Sequence, residues 1–193
     1  MALLGVILAG GRGERLGRGD KAAVALGGRT LLDRAVSRLM PQVDDVVISG
    51  RDDGGFDLPV LGDAPGGVRG PLAGIRAARR HAGAKYDGLL TVPVDAPFFP
   101  HDLAARLTAP GGPAIAVAGG RAHPVLGYWP LAALDRARAL FETDGGRPVQ
   151  DLISATAAAE VPFEDADAFF NINRPADLTR AEHMLAARTG TER

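Results

Sequence analysis

Apolar residues come in two rhythms along this chain: short unbroken runs, and stripes recurring every three or four positions. Residues 4–9 form an apolar run that ends in glycines, the mark of a strand buried on both faces. Thr30 can cap a helix in which Leu31, Leu32, Ala35, Val36 and Leu39 recur at helical spacing. Residues 46–48 read as a second buried strand, and 59–61 as a very short third. Pro71 suits the first turn of a helix carrying Leu72, Ile75 and Ala78. Residues 89–94 make the next strand, closed by Pro93 and Pro97. Residues 114–118 and 125–128 flank a Gly119-Gly120 turn, which reads as a hairpin. Helices are predicted at about 131–141 and 149–158, and a last one from Pro175 to about Ala187.

Strand–helix alternation over the first hundred residues implies an α/β fold, a parallel sheet covered on both faces. The hairpin after it makes that three-layer sheet mixed, though mostly parallel. Residues 1–188 are expected to form a single domain, with 189–193 a polar, frayed tail. In such sheets ligands bind beyond the carboxyl ends of the strands, which directs attention to residues 9–21, 49–63 and 94–100.

Composition narrows the chemistry. The 193 residues contain no cysteine, so disulfides, thiol nucleophiles, Fe–S clusters and thiolate zinc sites are excluded, and a reducing cytoplasm is compatible. The net charge of −1 gives no electrostatic footprint for nucleic acid or an anionic membrane. No apolar run approaches the roughly 18 residues of a membrane span, and the first residues lack the basic flank of a signal peptide. Of 22 basic residues only Lys21 and Lys85 are lysines. In a chain that otherwise uses arginine, each lysine invites the question of whether lysine is required.

Five short stations carry the candidate chemistry. The first is the loop after the first strand: Leu8, Ala9, Gly10 and Gly11, then Arg15, Gly17 and Lys21. Glycines let backbone N–H groups cradle phosphate oxygens, and Arg and Lys add charge; the alternative is a flexible surface loop. A P-loop does not fit, and a dinucleotide fingerprint from Gly11 fails at Leu16. A second fingerprint match, from Gly17 to Ala22, begins eight residues beyond the strand and is read as chance. The second station pairs Asp63, able to accept from a base or ribose, with Gly70-Pro71, a helix start that favours anions. A turn with ordinary capping explains it equally. The third is Asp95, one carboxylate held between Pro93 and Pro97 at a strand end. A hard cation such as Mg²⁺ takes one or two carboxylates plus phosphate oxygens, and Asp95 is the expected ligand unless it caps the helix near His101. The fourth runs from His123 to Trp129, either a ligand wall with His123 as an available base or a strand packed on the core. In the fifth, Asn171 and Asn173 alternate and so face one side of an extended segment, where amides can bind a polar ligand or Asn173 can cap a helix. His81, His101 and His183 show no ligand spacing and are read as surface residues.

Together these stations resemble the molybdenum cofactor guanylyltransferase family of GT-A-like, Rossmann-like nucleotidyltransferases. The resemblance covers about residues 3–180. It rests on Leu-Ala-Gly-Gly with Arg15, Gly17 and Lys21; Asp63 followed by Gly-Pro-Leu-Ala-Gly at 70–74; Asp-x-Pro at 95–97; His-Pro-x-x-Gly-x-Trp at 123–129; and Asn-x-Asn at 171–173. Cytidylyltransferase relatives usually carry Leu-Ala-Ala-Gly. The resemblance implies transfer of GMP from GTP to the terminal phosphate of molybdopterin, with release of pyrophosphate. It assigns GTP to Leu8, Ala9, Gly10, Gly11, Lys21, Ser49, Asp63 and Asp95. The pterin falls to Arg15, Gly70, His123, Asn171 and Asn173. Catalysis falls to Arg15, Lys21 and Asp95, with Asp95 holding Mg²⁺. The substrate phosphate is itself a nucleophile, so positioning and charge neutralisation are the protein's work. Tyr128 and Trp129 suit a wall beside the planar pterin. Two departures stand out. Ser49 occupies a position where the family often has Asn, which weakens the hold on the base, and Arg174 replaces a common Thr. Another nucleotidyltransferase of this fold, or a non-catalytic nucleotide-binding partner of molybdoenzymes, is the rival reading. Molybdoenzymes and cofactor-biosynthesis proteins are the expected protein partners, and a monomer or weak oligomer suits the size.

Overall fold

The computed structural model describes residues 1–10, 20–50, 54–62, 68–142, 145–146 and 148–191. Its centre is a sheet built on β1 (Leu3–Leu8), β4 (Asp45–Ser49), β5 (Val60–Leu61), β7 (Gly88–Pro93), β8 (Ala114–Ala118), β9 (Arg121–Pro130) and β11 (Ala159–Phe163). Among the described residues the strand order is β11-β8-β9-β7-β1-β4-β5. All pairings are parallel except those of β9, which runs against both β7 and β8. Two small ribbons lie outside it: β2 (Ala25–Leu26) with β3 (Arg29–Thr30), and β6 (Val68–Arg69) with β10 (Gly145–Gly146). The mixed, mostly parallel three-layer sheet agrees with the expectation.

Every residue of β1 is buried, which is why its sequence reads as a run rather than an alternation. One face packs α1 (Leu31–Leu39) and α3 (Leu103–Thr108) around Ile7, Ile48, Val92 and Phe99; α6 (Pro175–Thr191) joins that side through Ala181. The other packs α2 (Pro71–Ala82), α4 (Leu131–Arg136) and α5 (Val149–Thr156) around Leu4, Val6, Leu89 and Trp129. Thr30 caps α1 as the sequence suggests, its Oγ1 accepting from the Asp33 amide at 3.0 Å.

Three segments differ from expectation. The helix expected over 131–141 stops at Arg136, and a tighter turn over Arg138–Phe141 carries Phe141 back into the core. The helix expected over 149–158 ends at Thr156; Ala157 turns left-handed (φ 48°) and starts β11, a strand the sequence pattern did not reveal. Glu160 and Pro162 mask it, since proline is tolerated at a sheet edge where β11 lies. The last helix continues past 187 to Thr191.

The topology fixes where a ligand can sit. From β1 the chain steps outward to β4 and β5, then returns to place β7 on the opposite side of β1. Between β1 and β7 the order reverses, and a crevice opens beyond their carboxyl ends.

Candidate active site

A cavity of about 1480 Å³ occupies that crevice, above the roughly 300–1,000 Å³ usual for one small ligand. At one end stand Leu8, Ala9 and Gly10 from the end of β1, Lys21, and Ser49 from the end of β4. Gly70 and Pro71, opening α2, stand nearby. Val94 and Asp95 follow β7 across the switch point. Backbone hydrogen bonds lock these ends together: the Ala9 amide donates to the Ser49 carbonyl at 2.8 Å, and the Val94 amide to the Leu8 carbonyl at 3.1 Å. Gly74 lets α2 lie close, since a Cβ there would overlap Leu8 and the Ser49 hydroxyl. Gly70 adopts φ 75°, a conformation glycine accommodates, and Pro71 follows at the first helical position.

The focus is a three-residue junction. Lys21 Nζ donates to Asp95 Oδ2 at 2.5 Å and to Asn173 Oδ1 at 2.7 Å. Both charged side chains are largely enclosed, at 14% and 18% exposure. Asp95 therefore does not cap the following helix, whose N-cap position is Asp102. A third backbone bond completes the frame, from the Ile172 amide to the Asp95 carbonyl at 2.9 Å. Ile172 points into the core while Asn171 and Asn173 both line the cavity, as alternation in an extended segment requires. Residues 74 and 152 positions apart from Lys21 thus meet at one ammonium group.

The far end is more basic and aromatic. The reversed direction of β9 brings its first residues back to the carboxyl ends of the other strands. His123 lines the cavity with its ring 4.8 Å from that of Phe169. Burial, reinforced by Arg121, holds the His123 imidazole below the ordinary histidine range; a backbone hydrogen bond at Ala118 opposes the shift. Arg180 stacks on Phe170 at 4.7 Å and pairs with Asp167 at 3.1 Å. Arg121 and Arg174 also line this end, and among the described residues neither is in an ion pair. Neither Arg121 nor Arg180 belongs to a sequence motif; their one signal is closeness to the His123 and Asn171–Asn173 motifs.

The reading of Tyr128 and Trp129 as a ligand wall is corrected. Trp129 is fully buried on the α2 face of the sheet, and the Tyr128 hydroxyl lies against Met1 Sδ at 3.3 Å. Neither reaches the cavity; both are core. The cavity-lining part of β9 ends at Leu126, and beyond it Tyr128 and Trp129 face the two core layers on opposite sides of the sheet. His81, His101 and His183 are exposed, as expected. Gly11, Arg15 and Asp63, assigned by resemblance, lie outside the described residues.

Asp95 offers the hard oxygen donor that Mg²⁺ selects, at a cavity able to bring phosphate oxygens as its other ligands. Among the described residues no three His, Asp or Glu side chains converge on one point. Asp95 is the described side chain that could hold such a metal. No helix among the described residues is long and apolar enough to cross a membrane.

Known proteins agree with this arrangement. The family model of the MobA-like NTP transferase domain matches residues 5–160. A molybdenum cofactor guanylyltransferase of Cereibacter sphaeroides is 45% identical over 192 residues, covering 96% of this chain and 98% of the relative. One of Rhizobium johnstonii is 43% identical over 198 residues, covering 96% and 94%. Among solved structures, molybdopterin-guanine dinucleotide biosynthesis protein A from Archaeoglobus fulgidus superposes with a TM-score of 0.73 at 25% identity, covering 96% of this chain and 99% of that one. A 2-C-methyl-D-erythritol 4-phosphate cytidylyltransferase of Thermus thermophilus shares the fold at a TM-score of 0.66 and 19% identity, covering 96% and 98%. The residues at the switch point, the reversed β9 and this near-complete coverage lead to one conclusion: the chain belongs to the MobA-like NTP transferase family.

Proposed function

We propose that this chain transfers GMP from GTP to the terminal phosphate of molybdopterin and releases pyrophosphate. The observation that carries the reading is the Lys21–Asp95–Asn173 junction, set between the two ends of one large cavity. An oxygen of the acceptor phosphate forms a bond to the α-phosphorus of GTP. The bond from that phosphorus to the oxygen bridging to the β-phosphate breaks, and the electron pair leaves with pyrophosphate. No side-chain nucleophile is needed, so alignment and charge are what the protein contributes.

The nucleotide belongs at the β1–β4 end. There Leu8, Ala9 and Gly10 present backbone, and the short Ser49 hydroxyl faces the packing surface of α2. Lys21 offers a compact positive charge to the triphosphate. Asp95 is the side chain that would hold Mg²⁺, which when bound neutralises phosphate charge. Asn173, joined to Lys21, and Arg121 and Arg174, which form no ion pair among the described residues, suit a phosphorylated, anionic acceptor at the opposite end. The aromatic pair His123–Phe169 supplies a ring surface there.

Ser49 favours a second reading in one respect, because a hydroxyl discriminates among bases less than an amide. Pyrophosphate release should therefore be measured with GTP, ATP, CTP and UTP in turn, with Mg²⁺, in the presence and absence of molybdopterin. Release requiring both GTP and the pterin supports the proposal. Equal rates with CTP overturn the base assignment, and release with a different phosphorylated acceptor overturns the acceptor.

A further inference from the structure

Strand β9 does not run straight. Ile115 of β8 pairs with Gly127, yet the next residue, Ala116, pairs with His123. Pro124, Val125 and Leu126 are thus extra on β9, and all three line the cavity beside His123. Bulges of this kind re-aim side chains and persist when something holds them.

What holds this one is buried behind it. Thr91 of β7 is fully buried, and its Oγ1 donates to the Val125 carbonyl at 2.8 Å, with the Gly127 carbonyl 3.2 Å away. A hydroxyl has one proton, so the nearer carbonyl takes it. The same oxygen accepts from Trp129 Nε1 at 3.1 Å. The indole then closes against the backbone: a Cβ on Gly127 would stand 2.9 Å from Trp129 Cζ2 and 3.0 Å from the Ala114 carbonyl. Thr91 also lies on β7, the strand whose end leads into Asp95, so one side chain ties the bulge to the element that carries the carboxylate.

We propose that Thr91, Trp129 and Gly127 form a clip that sets residues 123–126 in the wall of the cavity that Asp95 also lines, making Thr91 and Trp129 positioning residues for the acceptor. The proposal rests on the assignment above of this cavity end to the acceptor. It gives the Gly-x-Trp portion of the β9 motif a role: it builds the wall from behind and never touches the ligand.

Replacing Thr91 by valine keeps the shape but leaves a buried carbonyl without its donor and a buried indole N–H without its acceptor. Thr91→Val is expected to raise the acceptor KM about five- to twentyfold while the GTP KM stays within about twofold. Thr91→Ser restores the hydroxyl and is expected to return the acceptor KM to within about threefold of the native value. Trp129 is the only tryptophan, so its fluorescence reports on the clip independently of turnover; Thr91→Val should shift the emission and Thr91→Ser should not. A folded Thr91→Val enzyme with native emission and a native acceptor KM overturns the clip, as does a serine variant as impaired as valine. If Thr91→Val does not fold, Trp129→Phe removes the donor together with the indole carbons that close on Gly127, and an acceptor KM raised by less than about twofold then overturns it. An emission shift accompanied by a change in the GTP KM alone overturns the acceptor assignment instead.

Discussion

Two lysine–aspartate pairs mark opposite ends of the same sheet. At the carboxyl ends Lys21 meets Asp95 at 2.5 Å, with exposures of 14% and 18%. At the amino ends Lys85 meets Asp45 at 2.7 Å, with exposures of 68% and 46%. The chemistry is the same and the surroundings are not. Asp45 also accepts from the Tyr86 hydroxyl at 2.8 Å, and Lys85 lies over the Tyr86 ring at 4.9 Å. These contacts push the Lys85 ammonium above the usual lysine range and hold Asp45 below the usual carboxylate range, the hydrogen bond between them being the largest cause. Water surrounds both groups, so the pair contributes little beyond tidying a surface. Enclosure at the other end sharpens every charge, because the field there is less screened. Possession of a lysine is thus uninformative; its enclosure at the switch point is what supports the proposed role of Lys21.

The largest break in this contrast should come from Asp95→Ala. It removes the expected metal ligand and leaves Lys21 without its anion, and kcat/KM should fall about a thousandfold or more at saturating Mg²⁺. Steady-state kinetics check it, with Asp45→Ala as the control that leaves kcat/KM unchanged. Asn173→Ala should act next, raising the acceptor KM about tenfold by removing one hydrogen bond to a charged group. Titration of GTP and acceptor separately distinguishes that from loss of nucleotide binding.

The pH dependence of stability should be smaller. Burial holds the His123 pKa below its unfolded value of about 6.5, so the unfolded chain binds more protons between the two values. The stability of the neutral, stacked imidazole is therefore fully present above about pH 6.5 and is lost as the pH falls through the depressed folded value. Melting temperatures of the native chain and His123→Gln, compared from pH 8 to 5, should differ by a constant amount above pH 7 and converge or cross below about 6.5. A constant difference throughout removes His123 from the buried aromatic end.

Much of this was legible in the sequence because burial on both faces writes itself as apolar runs. β1, β4 and β7 are such runs, and their ends point to Ala9, Ser49 and Asp95. β11 was hidden because an edge strand carries exposed Glu160 and Pro162. Trp129 misled for a related reason: an aromatic beside a motif looks the same whether it faces a ligand or the core. Only the register of β9, shifted at Ile115/Ala116, shows that the cavity-facing part stops before it. Arg121 and Arg180 at the far end carried no pattern, since in this chain arginine is the default cation. The Lys21–Asp95–Asn173 junction joins three distant stretches, and no local spacing predicts which of their polar atoms meet.

The most direct test of the central claim compares Lys21→Arg with Lys85→Arg in the same transfer assay. Arginine keeps the charge but replaces the one ammonium that bonds both Asp95 and Asn173 with a longer planar fork of different donor geometry. Lys21→Arg is expected to lose about ten- to a hundredfold in kcat/KM while Lys85→Arg is indistinguishable from the native chain. Full activity in Lys21→Arg would contradict it.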